Sequence, residues 1–439
     1  MLKIDFFRTD IIEKYENAVA EKVISRNGET DDIIFIPEDI KNPNTNDPYK
    51  ISIHDLLTLD RDHIFEIDGI DLYMCICSAQ KYKYKSNAEL LHALSLKYKD
   101  KVDEINYEHS CYTYKIDGVY YHTTNKKDKS FDPFIYKAVE LIKNEFAKYN
   151  TSYADKYFTD DIQCIDSLYK ALDNMICDLK PYFTEKSSQK PIIDYSIISG
   201  DLRHELLNSI GIRTCPYCNR NYVTRYGEKG SKSTADLDHF YQKERYPLFA
   251  LSLFNFIPSC PICNSRMKNA HPAEDTLYPY EEGFDDDACF ELKYTGNDKT
   301  GASTLRLWQA LEDVEYNDFD IEIVIKSTAT DEKRKKIEKS KDLFHLTEVY
   351  ADHKQEALEA AFRARIYCEG SYKDFCKELF DKFTKSGMDN SSVSDLESYM
   401  FRQVFDDEWL MFGIFMNNEK RRYDKPLSKM IYDIYKSGK

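Results

Sequence analysis

Four cysteines constrain this chain more than any other feature. Cys215 and Cys218 close one CPYC turn, Cys260 and Cys263 close a CPIC turn, and each turn is followed directly by an asparagine, Asn219 or Asn264. A CxxC turn sets two thiolates on one side of a tight loop, and two such turns supply the tetrahedral sulfur set of a structural zinc site. The pairs stand 41 residues apart, farther than in a simple zinc ribbon, so they clamp the two ends of an insert. A closed set of four sulfurs leaves no open coordination position, so the expected Zn²⁺ is structural and does no chemistry itself. The remaining eight cysteines are scattered. The opening MLKIDFFRTDIIEKYENAV carries early acidic residues and no long apolar core, which does not read as an export signal. A reducing, cytoplasmic setting is therefore expected, where CxxC pairs read as metal ligands rather than disulfides. A thioredoxin-like redox site would need only one such motif. No stretch has the apolar length of a membrane span.

Bulk composition narrows the alternatives. With 439 residues the chain has room for two or three domains, and 42% hydrophobic and 14% aromatic residues are ample for packed cores. A formal net charge of −16 excludes a general nucleic-acid coat protein. The charge is uneven, however. Residues 201–272 hold ten Lys or Arg against six Asp or Glu, a local +4, which favours an anionic ligand there.

The pattern divides the chain into a mixed α+β region at 1–200, a cysteine-bearing region at 201–295 and a mainly helical region at 296–439. Asp–Gly between β-rich runs predicts hairpins at 63–77 and 111–124. Helical spacing predicts helices at 87–105, 133–148, 160–180 and 201–208, the last ended by Gly211. KSSQKP at 186–191 reads as a linker. Between the knuckles the expectation is a strand at Tyr222–Tyr226, a second at Thr234–Phe240, and a helix from Asn264. The basic run 333–336 reads as a solvated helix face, the acidic run Asp285–Asp287 as a polar loop, and QKYKYK at 80–85 as a base-stacking segment or an exposed strand.

The chemistry is expected inside the insert. Asp238 and His239 stand at the end of the second predicted strand, Asn255 lies near the end of the apolar stretch LFALSLFNF, and Asn264 and Lys268 are expected to share one face of the helix after the second knuckle. Phosphodiester hydrolysis needs an activated water, and a neutral imidazole is poised for that near pH 7. It also needs charge stabilisation, which an ion held by one carboxylate and one amide supplies while keeping open positions. Any one of these residues alone reads as a hydrogen-bonded pair, a cap or a turn.

In this order the motifs resemble the HNH, or ββα-metal, endonuclease superfamily in its version stabilised by a four-cysteine zinc site. The matching residues are Cys215, Cys218, Asp238, His239, Asn255, Cys260, Cys263 and Asn264, within about residues 210–270. The resemblance implies an α+β fold with a central ββα-metal nuclease core at 201–295. It implies His239 as general base, and Asp238 and Asn264 as ligands of one catalytic divalent cation. Asn255 would fix the loop and orient His239 through a backbone contact, and Lys268 would sit near the scissile phosphate or counter its charge. Asn rather than His at position 264 favours oxygen-ligated Mg²⁺ or Mn²⁺. Arg220, Arg225, Lys243 and Arg245 are candidate phosphate contacts, and His271 a supplementary ligand or a turn residue. YPYEEGF at 278–284 and the helical tail are similar to HNH proteins of bacterial anti-phage defence, including the HNH component of Septu-type systems, which implies an ATPase partner. The expected substrate is DNA. The alternatives are a non-catalytic zinc-stabilised binding module for protein or nucleic acid, and an RNA-cleaving nuclease or toxin.

Overall fold

The computed structural model describes residues 1–4, 9–59, 61–79, 102–108, 111–116, 119–123, 133–162, 164–183, 191–228, 232–269, 271, 273–295, 319–368 and 425–437. It is a mixed α+β structure in which the sheets of the described residues are small and antiparallel. The contacts divide it into two compact units that are discontinuous in sequence. One comprises Met1–Ile11, Ser199–Phe240 and Phe256–Lys439, and the other Ile12–Ile198 and Tyr241–Asn255. The apolar stretch between the two knuckles is thus shared between units, and residues on both sides of the expected limit at 295 lie in one unit.

The second unit begins within α1 (Thr9–Arg26) and continues through β1 (Asp32–Ile34), β2 (Lys50–Ser52), α2 (Ile53–Thr58), α3 (Arg61–Ile64) and α4 (Ile70–Ser78). The expected hairpin at 63–77 is not formed: α3 and α4 occupy it. Gly69 is the left-handed N-cap of α4 at φ 81°, and a Cβ there would meet the Tyr49 ring. A short apolar run does not distinguish a buried helix from a strand, and burial decided for the helix. The hairpin expected at 111–124 is present, as β4 (Cys111–Ile116) paired with β5 (Val119–Thr123), with β3 (Val102–Glu108) on the other edge of β4. That third strand occupies the end of the helix expected at 87–105, whose remainder lies outside the described residues, as do 80–85 and 186–190. Helices α5 (Pro133–Ala147), α6 (Thr151–Tyr157) and α7 (Ile165–Phe183) complete the unit. Its core includes Tyr73, packed edge-on to Phe35 and Phe249.

In the cysteine-bearing unit, α8 (Gly200–Ile210) is capped by Ser199 and ends at Gly211 in the left-handed conformation. The first knuckle follows, then β6 (Arg225–Tyr226) and β7 (Lys232–Ser233), a hairpin shorter than the strand expected at 222–226. Then β8 (Asp236–His239) pairs antiparallel with β9 (Phe256–Ser259), in register Asp236↔Ser259 to His239↔Phe256. The second knuckle runs straight into a π-helical turn, Ile262–Lys268, in which Asn269 N–H donates to Asn264 O. A π-turn of this kind recurs at functional sites.

Beyond it, β10 (Ala288–Tyr294) pairs with β11 (Phe319–Ile325), and α9 (Asp331–Leu343), α10 (Leu346–Ala351), α11 (Lys354–Cys368) and α12 (Ser428–Ser437) follow. The region expected to be helical thus contains a strand. Phe319, Ile321 and Ile323 are buried alternately along β11, the period of a half-covered sheet. The basic run lies on α9 and answers the acidic run: Lys333 pairs with Asp285 at 3.2 Å and Asp287 at 2.6 Å, and Lys336 pairs with Glu282. YPYEEGF is an internal brace. Tyr280 donates to Phe256 O on β9, and Ile4 N–H donates to Pro279 O.

Candidate metal centre and the strand beside it

Both knuckles make the same local bond. Asn219 N–H donates to Cys215 O at 2.7 Å, and Asn264 N–H donates to Cys260 O at 3.0 Å. Each turn presents its two sulfurs on one side, and the four ligand atoms of Cys215, Cys218, Cys260 and Cys263 lie within 4.8 Å of one another. All four residues are buried. They form a group able to hold a metal ion such as zinc, the one such group among the described residues.

The electrostatics suit a cation. Burial raises the Cys215 thiol, and hydrogen bonds from the other three sulfurs, Cys215 first, raise Cys263. The contact with Cys215 is the largest cause that lowers Cys218 and Cys260. Four thiols this close share protons rather than ionise together, and a dication replaces those protons. N–H donors already point at the sulfurs. Asn221 Nδ2 lies 3.3 Å from Cys260 Sγ, Arg220 N 3.4 Å from Cys218 Sγ, and Cys263 N 3.5 Å from Cys260 Sγ. Such donors orient metal-bound thiolates. Asn221 was not singled out from sequence, because an asparagine three residues after a cysteine has no distinctive pattern.

Strand β8 is tied to this centre through Asp238. Its Oδ2 accepts from Tyr217, the middle of the first knuckle, at 2.6 Å, and its Oδ1 accepts from Lys268 Nζ at 2.8 Å. Asp238 is 5% exposed and Lys268 1%. Burial, followed by the Asp238 charge, holds the Tyr217 hydroxyl well above the usual phenol range, so it stays a donor. Lys268 Nζ also donates to His239 O at 2.5 Å. Lys268 is thus held by Asp238 and the strand backbone, and leaving Asp238 would strand a buried charge.

Alternation along β8 puts His239 on the face opposite Asp238 and Asp236 on the same face as Asp238. The His239 imidazole is partly exposed and meets its cross-strand neighbour Phe256 edge-on, with ring centroids 5.1 Å apart. Asn264 reaches Asp236, its Nδ2 donating to Asp236 Oδ2 at 3.1 Å, and both side chains are partly exposed. Asp236 was passed over in the sequence reading, although the i, i+2 spacing from Asp238 carried the signal.

Asn255 does brace its loop, but at Tyr241 rather than His239. It accepts from Tyr241 N–H at 2.7 Å and donates to Tyr241 O and Phe249 O. One residue, Phe240, separates Tyr241 from His239, whose carbonyl is bonded by Lys268 instead. Among the candidate phosphate contacts, Arg245 donates to Cys77 O and Ser78 O at the end of α4, and Arg220 Nε donates to His353 Nε2. Lys243 sits over the Tyr195 ring, whereas Arg225 is exposed. His271 is exposed, and its N–H closes a turn onto Lys268 O.

No helix among the described residues is long and apolar enough to cross a membrane. No protein-family model, curated protein or solved structure matches this chain.

Proposed function

We propose that this chain is a divalent-metal-dependent endonuclease that hydrolyses DNA phosphodiester bonds on a ββα-metal (HNH) core. The observation that carries the reading is a partly exposed His239 on a strand fastened to a four-cysteine metal centre through Tyr217, Asp238 and Lys268. The order strand, strand, knuckle and helical turn in β8, β9, Cys260–Cys263 and Ile262–Lys268 supports the same reading.

The donors around β8 fit a hard cation in kind. Asp236 and Asp238 share a face, and Asn264 keeps its amide oxygen when its nitrogen bonds Asp236. Asp238 uses one bond on each oxygen, and a carboxylate accepts about four. Asp238 and Asn264, with Asp236 beside them, would hold Mg²⁺ or Mn²⁺. When bound, that ion supplies charge neutralisation at the phosphate.

The rest falls to side chains. His239 takes the proton from the attacking water at its partly exposed imidazole. Phe256 holds the ring edge-on, and Lys268 secures the carbonyl of the same residue, so the base is fixed at the strand end. The test is plasmid cleavage with Mg²⁺ or Mn²⁺, comparing wild type with His239→Ala. Cleavage should fall by at least about 100-fold in the variant while zinc content stays stoichiometric. Equal activity in both would sink the assignment of the base. Labelled RNA in the same assay separates a DNA nuclease from an RNA-cleaving one.

One observation favours a second reading, a non-catalytic zinc-stabilised binding module: Asp238 is buried and paired, as a structural aspartate would be. Inactivity of wild type with every metal, alone and with a partner protein, would favour that module. The likeness of 278–284 to Septu-type proteins extends the proposal to anti-phage defence with an ATPase partner, which co-purification with the neighbouring gene products tests.

A further inference from the structure

A groove of about 530 Å³ opens beside the first knuckle, between Gly211–Arg213 and Tyr222–Arg225. We infer that it binds a single strand of nucleic acid, with phosphates at Arg213 and Arg225 and an unpaired base on Tyr222. The inference rests on the nuclease reading for the class of ligand and adds a binding site separate from His239.

Charge is the first argument. Between residues 211 and 234 stand Arg213, Arg220, Arg225, Lys229 and Lys232 against the single acid Glu228, in a chain of −16. Arg213, Arg225 and Lys232 are exposed. A basic strip on an acidic body selects a polyanion and repels it elsewhere.

The aromatics are the second argument. Tyr222 is 58% exposed and Tyr226 52%, two of the few large side chains left in water among the described residues. A tyrosine face beside arginines is the platform that stacks unpaired bases whatever their sequence. A duplex keeps its bases stacked on one another and has no use for it.

The third argument is rigidity. Thr214 bridges Tyr222, Val223 N–H donates to Arg213 O at 2.9 Å, and Cys215 N–H donates to Asn221 O at 3.0 Å, so the groove is rooted in the knuckle. One N–H of Arg225 bonds Asn208 O, which aims the guanidinium and leaves most of its five donors for a ligand. A surface already ordered loses little entropy on binding. Thr224 and Thr234 bond each other across the hairpin, and His239 follows Thr234 by five residues, at most about 18 Å. That is within the span of a few nucleotides, so a strand held in the groove runs within reach of the histidine.

The experiment uses the full chain carrying His239→Ala, so that the ligand survives, and measures anisotropy of a labelled oligothymidylate across a salt series. Arg213→Gln with Arg225→Gln should weaken binding about tenfold or more and flatten the log–log salt slope by about 1.4. The Arg→Lys pair should keep the slope, and all variants should keep their zinc. Tyr222→Ala should lose about tenfold and Tyr222→Phe little. Unchanged affinity and slope in the glutamine pair, no binding by the parent protein, or equal competition by polyglutamate would each overturn the inference. Loss of binding in the glutamine pair of a wild-type protein that never cleaves would leave the groove standing and remove the nuclease reading. Cleavage with an irrelevant groove would do the reverse.

Discussion

The two knuckles are nearly the same peptide, Cys–Pro–x–Cys–Asn, with the same backbone bond from the asparagine to the first cysteine, yet they face different surroundings. The first is enclosed. Tyr217 is fully buried and stacks on Phe344 at 4.4 Å, and Tyr350 donates to Cys218 O. Asn219, at φ 47°, accepts from Lys429 N–H and Ser428 Oγ at the start of α12, while its Nδ2 donates to Lys425 O and Thr214 Oγ1. In the second knuckle the residue equivalent to Tyr217 is Ile262, 39% exposed, and Asn264 turns to Asp236 from a helical turn. Equal local geometry thus serves two ends. One knuckle anchors the C-terminal helix, and the other presents polar side chains beside β8.

The largest expected effect would erase this contrast. Cys215→Ser and Cys263→Ser should both lose stoichiometric zinc and, with it, cleavage, because a complete four-thiolate site supplies binding free energy on the order of 10 kcal/mol and three thiolates supply much less. Metal analysis and plasmid cleavage read both outcomes. A folded, fully active Cys263→Ser protein would show that the knuckle does not set position 264.

Next comes the asparagine pair, which separates the two roles. Asn219→Ala removes several buried hydrogen bonds and puts alanine in the left-handed region, for a loss of about 3 kcal/mol. Chemical denaturation should show that loss, with activity falling only as the folded fraction falls. Asn264→Ala should leave the denaturation midpoint nearly unchanged and reduce cleavage at least about tenfold. The opposite pattern would exchange the roles of the two knuckles.

The smallest effect is at the middle residues. Tyr217→Phe deletes a hydrogen bond to a buried carboxylate, worth about 1.5–3 kcal/mol. Ile262→Ala, at an exposed site, should stay within about 0.5 kcal/mol. Similar losses at both positions would mean that the second knuckle is covered in solution.

Much of the candidate site is legible in the sequence. Cysteine pairs announce themselves because thiolate chemistry needs a fixed spacing, and the structure brings all four together. The helix ending at Gly211 follows from glycine's access to positive φ, and the pairing of Cys111–Ile116 with Val119–Thr123 from the Asp–Gly between two β-rich runs. Asp68–Gly69 carries the same signal and caps a helix instead, because what buries the following residues lies far away in sequence. Lys268 lies on a π-helical turn and bonds Asp238. Its burial was not readable, because a lysine looks the same whether it meets water or Asp238.

The sequence by itself determined the four-cysteine group able to hold a metal, the alternation of Asp238 and His239 along one strand, and the local charge of the region. Each depends on spacing and residue type alone. Only the tertiary structure decided which knuckle is enclosed, that Asp236 rather than Asp238 meets Asn264, and that residues 241–255 belong to a different unit from the strands they join. Those outcomes depend on long-range packing against Phe344, α12 and Tyr73, partners that no local pattern names.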